Sequence, residues 1–410
     1  MSELSAGDTA WLLMATAMVM VMLPGLALFY GGLVRRKNVL SVIMHSFFGL
    51  ALVSVVWVVI GFSLAFGPDV NGAGLIGNLD FVGFSNVGIE PNPAYAGSIP
   101  FVLFGSFQLM FAAITPALIT GAFAERKRFG AFVLFTIAWS VLVYSPLAHW
   151  VWAPGGWLRE LGALDFAGGT VVHISSGVSA LVAAVLIGRR WSFGDGDRLE
   201  PHDVPMTVLG AGLLWFGWFG FNAGSALAAN GVAANALLVT NTAAGAATLT
   251  WVLASYAHKR KVSVVGAAAG AVAGLVAITP ASGYVTAGGA VLIGLAAGGI
   301  CYSATLLRER LRIDDALDVF AVHGVGGMFG AVATGVLAVA AIGGVSGAVE
   351  GNFAQVGVQL VAVGAAASFA AVGTFVIVKG IEFGLGLRVE PHQEELGLDL
   401  AVHGEVAYQS

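Results

Sequence analysis

Two histidines, His173 and His323, stand in long stretches made almost wholly of Gly, Ala, Val, Leu, Ile and Phe. An imidazole in hydrocarbon is costly unless it has a partner or lines a cavity, so an ionisable side chain at membrane depth is a functional candidate. Each histidine follows an aspartate. Asp165 lies eight residues before His173, in Asp-Phe-Ala-Gly-Gly-Thr-Val-Val-His, and Asp318 five residues before His323, in Asp-Val-Phe-Ala-Val-His. The chain thus presents one device twice. Two neutral imidazoles facing each other can share a proton, because each ring offers one donor and one acceptor. Such a pair can pass a proton or hold a small hydrogen-bonding solute. A transition metal wants three or four donors; with two in view, no metal site is expected. His45 reads as a packed helix residue bonded to a carbonyl.

Aromatic rings accompany the histidines: Phe107 and Phe111, Trp152, and Phe216, Trp218, Phe219 and Phe221. Any one of them is ordinarily core packing or part of an interfacial belt. Phe221 differs, since it sits in Trp-Phe-Gly-Trp-Phe-Gly-Phe-Asn-Ala-Gly-Ser, where glycines open space and Asn222 and Ser225 add polar groups. Aromatic faces beside a hydroxyl suit a small cation through cation–π attraction and a hydrogen bond.

The elements that must position these groups follow from composition. With 58% hydrophobic and 10% charged residues, the 410-residue chain has too little polar surface for a soluble globule. Apolar runs of roughly 20 residues cross a bilayer as helices, and the alternation of a membrane barrel is absent. The fold class is therefore an all-α polytopic membrane protein. Eleven spans are predicted at 10–33, 40–66, 98–123, 129–148, 168–188, 205–228, 235–257, 263–281, 285–307, 318–341 and 355–379. Small-residue steps such as Gly266, Gly270 and Gly274 serve close helix packing.

Basic residues test the topology, because they collect on the cytoplasmic side. Arg35, Arg36 and Lys37, then Arg126, Lys127 and Arg128, then Arg189, Arg190 and Arg198 follow odd-numbered spans, as do Lys259, Arg260 and Lys261, Arg308, Arg310 and Arg312, and finally Lys379 and Arg388. Only Arg159 falls outside. This places the N-terminus outside and the C-terminus in the cytoplasm, with a transporter domain over 1–379 and a cytoplasmic regulatory tail over 380–410. No basic segment precedes the first span, so it reads as part of the mature fold. The outer loop from about 67 to 97 has no Lys or Arg but carries Asp69, Asp80 and Glu90, which would concentrate cations. Spans 1–5 and 6–10 form two sets of five. Because five is odd, the second set runs the opposite way, an inverted repeat whose interface holds substrate near the midplane.

Several functions are excluded or disfavoured. Walker, His-Glu-x-x-His and serine-elbow motifs are absent, so no enzyme is expected. All five lysines fall in loops or at span ends, leaving no candidate for a buried Schiff base; no cofactor is expected. The lone Cys301 rules out an intrachain disulfide. A net charge of -5 with no basic patch argues against nucleic acid.

Specific motifs run in order along the chain: Pro-Gly-Leu-Ala-Leu-Phe-Tyr-Gly-Gly (24–32), Gly-Ala-Phe-Ala-Glu-Arg (121–126), Asp165 to His173, Trp218 to Ser225, Asp314 to Gly327, Gly386-Leu387-Arg388-Val389 and His403-Gly404-Glu405. On these the chain resembles the ammonium transporter, methylammonium permease and Rhesus superfamily, most closely its bacterial and archaeal ammonium-transporter branch. The resemblance implies a homotrimer of eleven-helix protomers in the cell membrane, each with its own pore. Trp152, Ser225 and Phe111 would form the outer ammonium site. Trp152 is preferred to Trp157 because it follows His149-Trp150-Val151. Phe111 and Phe221 would be a stacked gate, and His173 and His323 the pore pair. Asp165 would support the outer site, with Phe107, Trp218 and Asp318 as further supporting residues. Ammonium, and methylammonium as an analogue, would be the substrates, and a PII-type nitrogen signalling protein would contact the tail. The expected mechanism selects the cation outside, removes its proton near the gate and conducts ammonia past the histidines, with the proton following them. Alternatives are a neutral ammonia or carbon dioxide channel of Rhesus type, and an ammonium sensor.

Overall fold

The computed structural model describes residues 3–193 and 200–408; Arg198, one of the basic residues used for topology, lies outside them. Ten helices are long and apolar enough to cross a membrane: α1 (Ala6–Leu33), α2 (Arg36–Phe66), α3 (Phe101–Phe123), α4 (Phe129–Glu160), α5 (Gly169–Ile187), α6 (Val204–Gly224), α7 (Gly231–Lys259), α9 (Ala287–Arg310), α10 (Phe320–Leu337) and α11 (Ala354–Gly384). Between α7 and α9 lies α8 (Val264–Ile278), with 15 residues. At 1.5 Å per residue it is about 22 Å long, short of a hydrocarbon core of about 30 Å. The expected span at 263–281 is therefore shortened. Thr279 closes the helix and Pro280 cannot continue it. The end is then put to use: the Pro280 carbonyl accepts a hydrogen bond from Phe166 N at 3.2 Å, beside Asp165.

Helix starts follow capping chemistry, in which a side-chain oxygen takes a backbone N–H left free by the first turn. Asp203 accepts from Met206 N at 2.8 Å before α6, and Asn230 from Ala233 N at 3.0 Å before α7. Ser263 and Thr286 do the same for α8 and α9. The α8 glycines pack on α7: a Cβ at Gly274 would lie 2.4 Å from the Ala243 carbonyl oxygen, so only glycine permits this approach.

At one end of the bundle the basic residues condense into a buried network. Glu125 accepts from Arg35 and Arg190, each at 3.1 Å, and Arg190 also grips Asp314 at 2.7 Å. Burial pushes the Glu125 pKa up, but Arg190 and Arg35 together more than offset it and hold the carboxyl below the usual range. Arg126 is spent on carbonyls, those of Gly188 at 2.9 Å and Asp314 at 2.6 Å among them. The chain after α11 folds onto this end. Arg128 pairs with Glu390 at 2.8 Å. The short helix α12 (Pro391–Leu396) presents Glu394 to Arg388 at 2.6 Å. Asp399 then accepts from Ser41 N at 2.9 Å, and Asn38 from Leu398 N at 2.8 Å. Among the described residues the only sheet is a two-stranded ribbon, β1 (Pro91–Asn92) and β2 (Ala96–Pro100), in the loop before α3.

Candidate functional site

His173 and His323 come from segments 150 residues apart, yet their Nδ1 atoms stand 3.2 Å from each other. Both rings are buried. At that distance one Nδ1 carries a hydrogen and the other a lone pair, so the pair shares a single proton between facing nitrogens. His173 Nε2 has no partner and is free to meet a solute. The ring of His173 lies 5.4 Å from that of Trp218, inclined by 26°, while Trp218 Nε1 donates to Thr279 Oγ1 at 2.8 Å. Trp218 therefore fixes the plane of the first histidine.

Each histidine occupies a wide helical turn, Gly169–Ile174 at the start of α5 and Phe320–Gly324 at the start of α10. Such π turns insert an extra residue and recur at functional sites. Asp165 builds the first turn: its Oδ1 accepts from Gly168 N at 2.9 Å, and its Oδ2 from Thr170 N at 2.8 Å and Val171 N at 3.1 Å. The second turn corrects the sequence reading. Asp315, eight residues before His323, accepts from Phe320 N at 2.7 Å and so matches Asp165, eight residues before His173. Asp318 takes the place of Gly168 instead. Both have positive φ, 58° and 113°, and both give a carbonyl to the residue four ahead, Val322 N at 3.0 Å and Val172 N at 2.8 Å. The Asp318 side chain pairs with Arg308 at 2.7 Å. That side chain lines the inner cavity, and Asp318 contributes to the second turn through its backbone carbonyl.

Two glycines let the turns meet. A Cβ on Gly177 would fall 2.1 Å from Gly324 N, and one on Gly327 would fall 3.0 Å from the Cβ of His173. Each glycine lies four residues after one histidine and makes room for the other turn.

Three cavities follow one another through this region. The outer one, about 160 Å³, is lined by Phe111, Trp152 and Ser225 together with Gln108, Tyr95 and Arg159. Trp152 Nε1 donates to the Asp165 carbonyl at 3.0 Å, which ties the outer site to the Asp165 turn. The Ser225 hydroxyl donates to the Phe221 carbonyl at 2.8 Å, leaving its lone pairs facing the cavity as acceptors. Its floor is closed by Phe111 and Phe221, whose ring centroids are 4.2 Å apart at 29°. Phe107 lies wholly buried behind Phe111, at 4.9 Å. Below the two rings is a narrow space of about 10 Å³ among Met22, Leu26, Ile114, Leu118, His173 and His323. His323 also borders the inner cavity, about 430 Å³, with Arg190, Arg308 and Asp318 on its wall. At the outer rim His149 bonds Asp69 at 3.1 Å. Burial pushes the Asp69 carboxyl up, but the Gly74 N–H and the His149 bond outweigh it and hold the carboxyl below its ordinary range.

A model of the family described as Ammonium Transporter Family matches residues 10–408. The chain is 49% identical to an ammonium transporter of Bacillus subtilis, over 98% of each chain, and 47% identical to the ammonium transporter Amt1 of Archaeoglobus fulgidus, over 99% of this chain and 100% of that one. The chain belongs to the ammonium transporter family. In structure this family member resembles Mep2 of Saccharomyces cerevisiae, with a TM-score of 0.89 at 39% identity over 94% of this chain and 88% of that one. A structure titled Sensor Amt Protein gives a TM-score of 0.90 at 33% identity, over 97% and 98%.

Several cavity-lining residues escaped the sequence reading, Gln108 and Arg159 among them. Gln108 stands one turn before Phe111, and its Oε1 is buried without a partner; the i, i+3 spacing that puts both on one helix face was the available signal. Arg159 was noted only as the basic residue on the wrong side, and it reaches the outer cavity from the short turn Trp157–Glu160 at the end of α4.

Proposed function

We propose that this protein carries ammonium across the cell membrane, taking NH4+ into the outer cavity and passing NH3 inward beyond Phe111 and Phe221. The observation that carries this reading is the change of chemistry along the path: aromatic faces and a hydroxyl acceptor outside, then a narrow, mostly apolar passage in which two imidazoles face each other through their Nδ1 atoms. An intact cation entering that passage would lose its solvation at a cost of tens of kcal/mol by Born reasoning, and aliphatic walls return none of it. Ammonia is neutral and small, and it can donate to and accept from the imidazoles. The shared Nδ1 proton gives the released proton a route along His173 and His323, which makes net transport electrogenic. Potassium has neither hydrogen-bond donors nor a proton to give up, so it is refused.

The reading extends to the architecture. We infer eleven crossings with α8 as the short one, an inverted repeat related through the two histidine turns, and the network around Glu125 on the cytoplasmic face. The matching offsets of Asp165 and Asp315, and of Gly177 and Gly327, support the repeat. Assembly as a homotrimer, and binding of a PII-type regulator at the folded segment after α11, complete the proposal. The test replaces His173 and His323 together by leucine and records currents from proteoliposomes under ammonium and potassium gradients. Loss of ammonium current, or admission of potassium, is expected. An unchanged current with potassium still excluded would sink the mechanism, and ligand binding without flux in the parent protein would move the reading to a sensor.

A further inference from the structure

The basic residues of this chain gather at one end of the bundle, and the exception sits beside the cavity proposed to receive a cation. Arg159 is exposed, and it lines the outer cavity with Trp152, Phe111 and Ser225. Its Nη1 donates to the Trp152 carbonyl. Among the described residues no carboxylate comes within ion-pair distance of its guanidinium, so no acid neutralises its charge. Tyr95, on the same wall, feels this charge: burial pushes its phenol up to about 12, with Arg159 pulling the other way.

A fixed positive charge on such a wall opposes a cation, whereas the aromatic faces and the Ser225 oxygen attract one. A conducting site needs that balance, since binding must favour entry and remain weak enough to permit departure. We propose that Arg159 is an affinity-setting residue of the outer site, a counter-charge that weakens capture of ammonium so that the ion does not rest there. This rests on the reading of the cavity as an ammonium site. Arg159 acts through space on the bound cation, and its hydrogen bond to the Trp152 carbonyl holds the charge at the rim. The substrate feature it senses is charge, so methylammonium is affected in the same direction as ammonium.

A unit charge a few ångströms from the bound ion, in a medium as polar as water, is worth roughly a three- to fivefold change in affinity. The experiment compares Arg159→Gln and Arg159→Lys with the parent protein in proteoliposomes. Half-saturating ammonium is read from initial currents at low ionic strength and again in added sodium chloride balanced with sucrose. Arg159→Gln is expected to lower half-saturating ammonium by about three- to fivefold at low salt, and the difference should shrink as salt screens the charge. Arg159→Lys keeps the charge and should stay within about twofold of the parent by the same reasoning. An unaltered half-saturation in Arg159→Gln overturns the proposal, as does a change that salt leaves intact. Arg159→Lys following Arg159→Gln overturns it too, because the hydrogen bond to Trp152 would then be the cause. Absence of any ammonium current or uptake in the parent protein refutes the transport reading and this one with it; a parent current with unaltered Arg159→Gln affinity refutes this one alone.

Discussion

Changing Asp165 to asparagine exchanges one carboxylate oxygen for an amide nitrogen in a side chain that accepts three backbone N–H bonds, at 2.9, 2.8 and 3.1 Å. The asparagine has a single acceptor atom. Placed at its best, that oxygen keeps Thr170 and Val171, and the new amide turns its hydrogens toward the N–H of Gly168. One buried donor is then unsatisfied and faces another donor, a loss of about 1–3 kcal/mol. Asp315 provides the control. Its Oδ2 accepts from Phe320, with Val319 N a further influence on the carboxyl, while its Oδ1 has no hydrogen-bond partner, so an asparagine can keep the oxygen on that side and point its amide to the vacant one. Asp315→Asn should therefore cost less than Asp165→Asn. Unfolding of the detergent-solubilised protein measures both. Transport should follow stability only for Asp165, because the carbonyl of that residue also receives Trp152 Nε1 at 3.0 Å, and a loosened turn frees the tryptophan of the outer cavity. Equal losses in the two variants, or an Asp165→Asn protein as stable as the parent, would refute the reasoning.

Gly177→Ala should destabilise strongly, since its Cβ would lie 2.1 Å from Gly324 N, whereas Gly212→Ala meets nothing within 4 Å and should be neutral or slightly stabilising; thermal unfolding of the pair decides. Gln108→Leu removes the unpartnered amide oxygen from the outer cavity and should raise half-saturating ammonium by roughly tenfold, the worth of one charge-assisted hydrogen bond, with little change in maximal current. Glu125 gives a pH prediction. A carboxyl held below its ordinary pKa stabilises fully above its unfolded value of about 4.3 and loses that contribution as pH falls through the folded value. Stability should decline on acidification below about pH 4. Glu125→Gln should cost about 3–5 kcal/mol at neutral pH, because it leaves Arg190 and Arg35 facing an uncharged group, and its unfolding should depend less on acid.

Much of this was legible in the chain because membranes impose simple rules. The apolar runs located the ten long helices of the described residues, and Trp152, Phe111, Phe221, Ser225 and the two histidines emerge along a single line of cavities. What escaped depends on backbone detail that spacing conceals. Asp318 looked like the partner of Asp165 because it is the aspartate nearest to His323, but the bond to the residue five ahead comes from Asp315, as it does from Asp165. The left-handed residue before the wide turn is glycine at one histidine and aspartate at the other, which disguised the match. The eighth span read longer than α8 because the apolar run continues past Thr279 and Pro280, where the helix ends. Hydrogen bonds such as that of Asp399 with Ser41 join residues 358 apart, and no local pattern announces them.

The crossed contacts of Gly177 and Gly327 carry a consequence for descent. Bulk added beside one histidine strikes the backbone that carries the other, so the two halves of this chain inherit a mutual constraint. A lineage that enlarges either position must change the opposite turn in step, and the trace it leaves should be paired substitutions across 150 positions, with neither half free to diverge at the point where they touch.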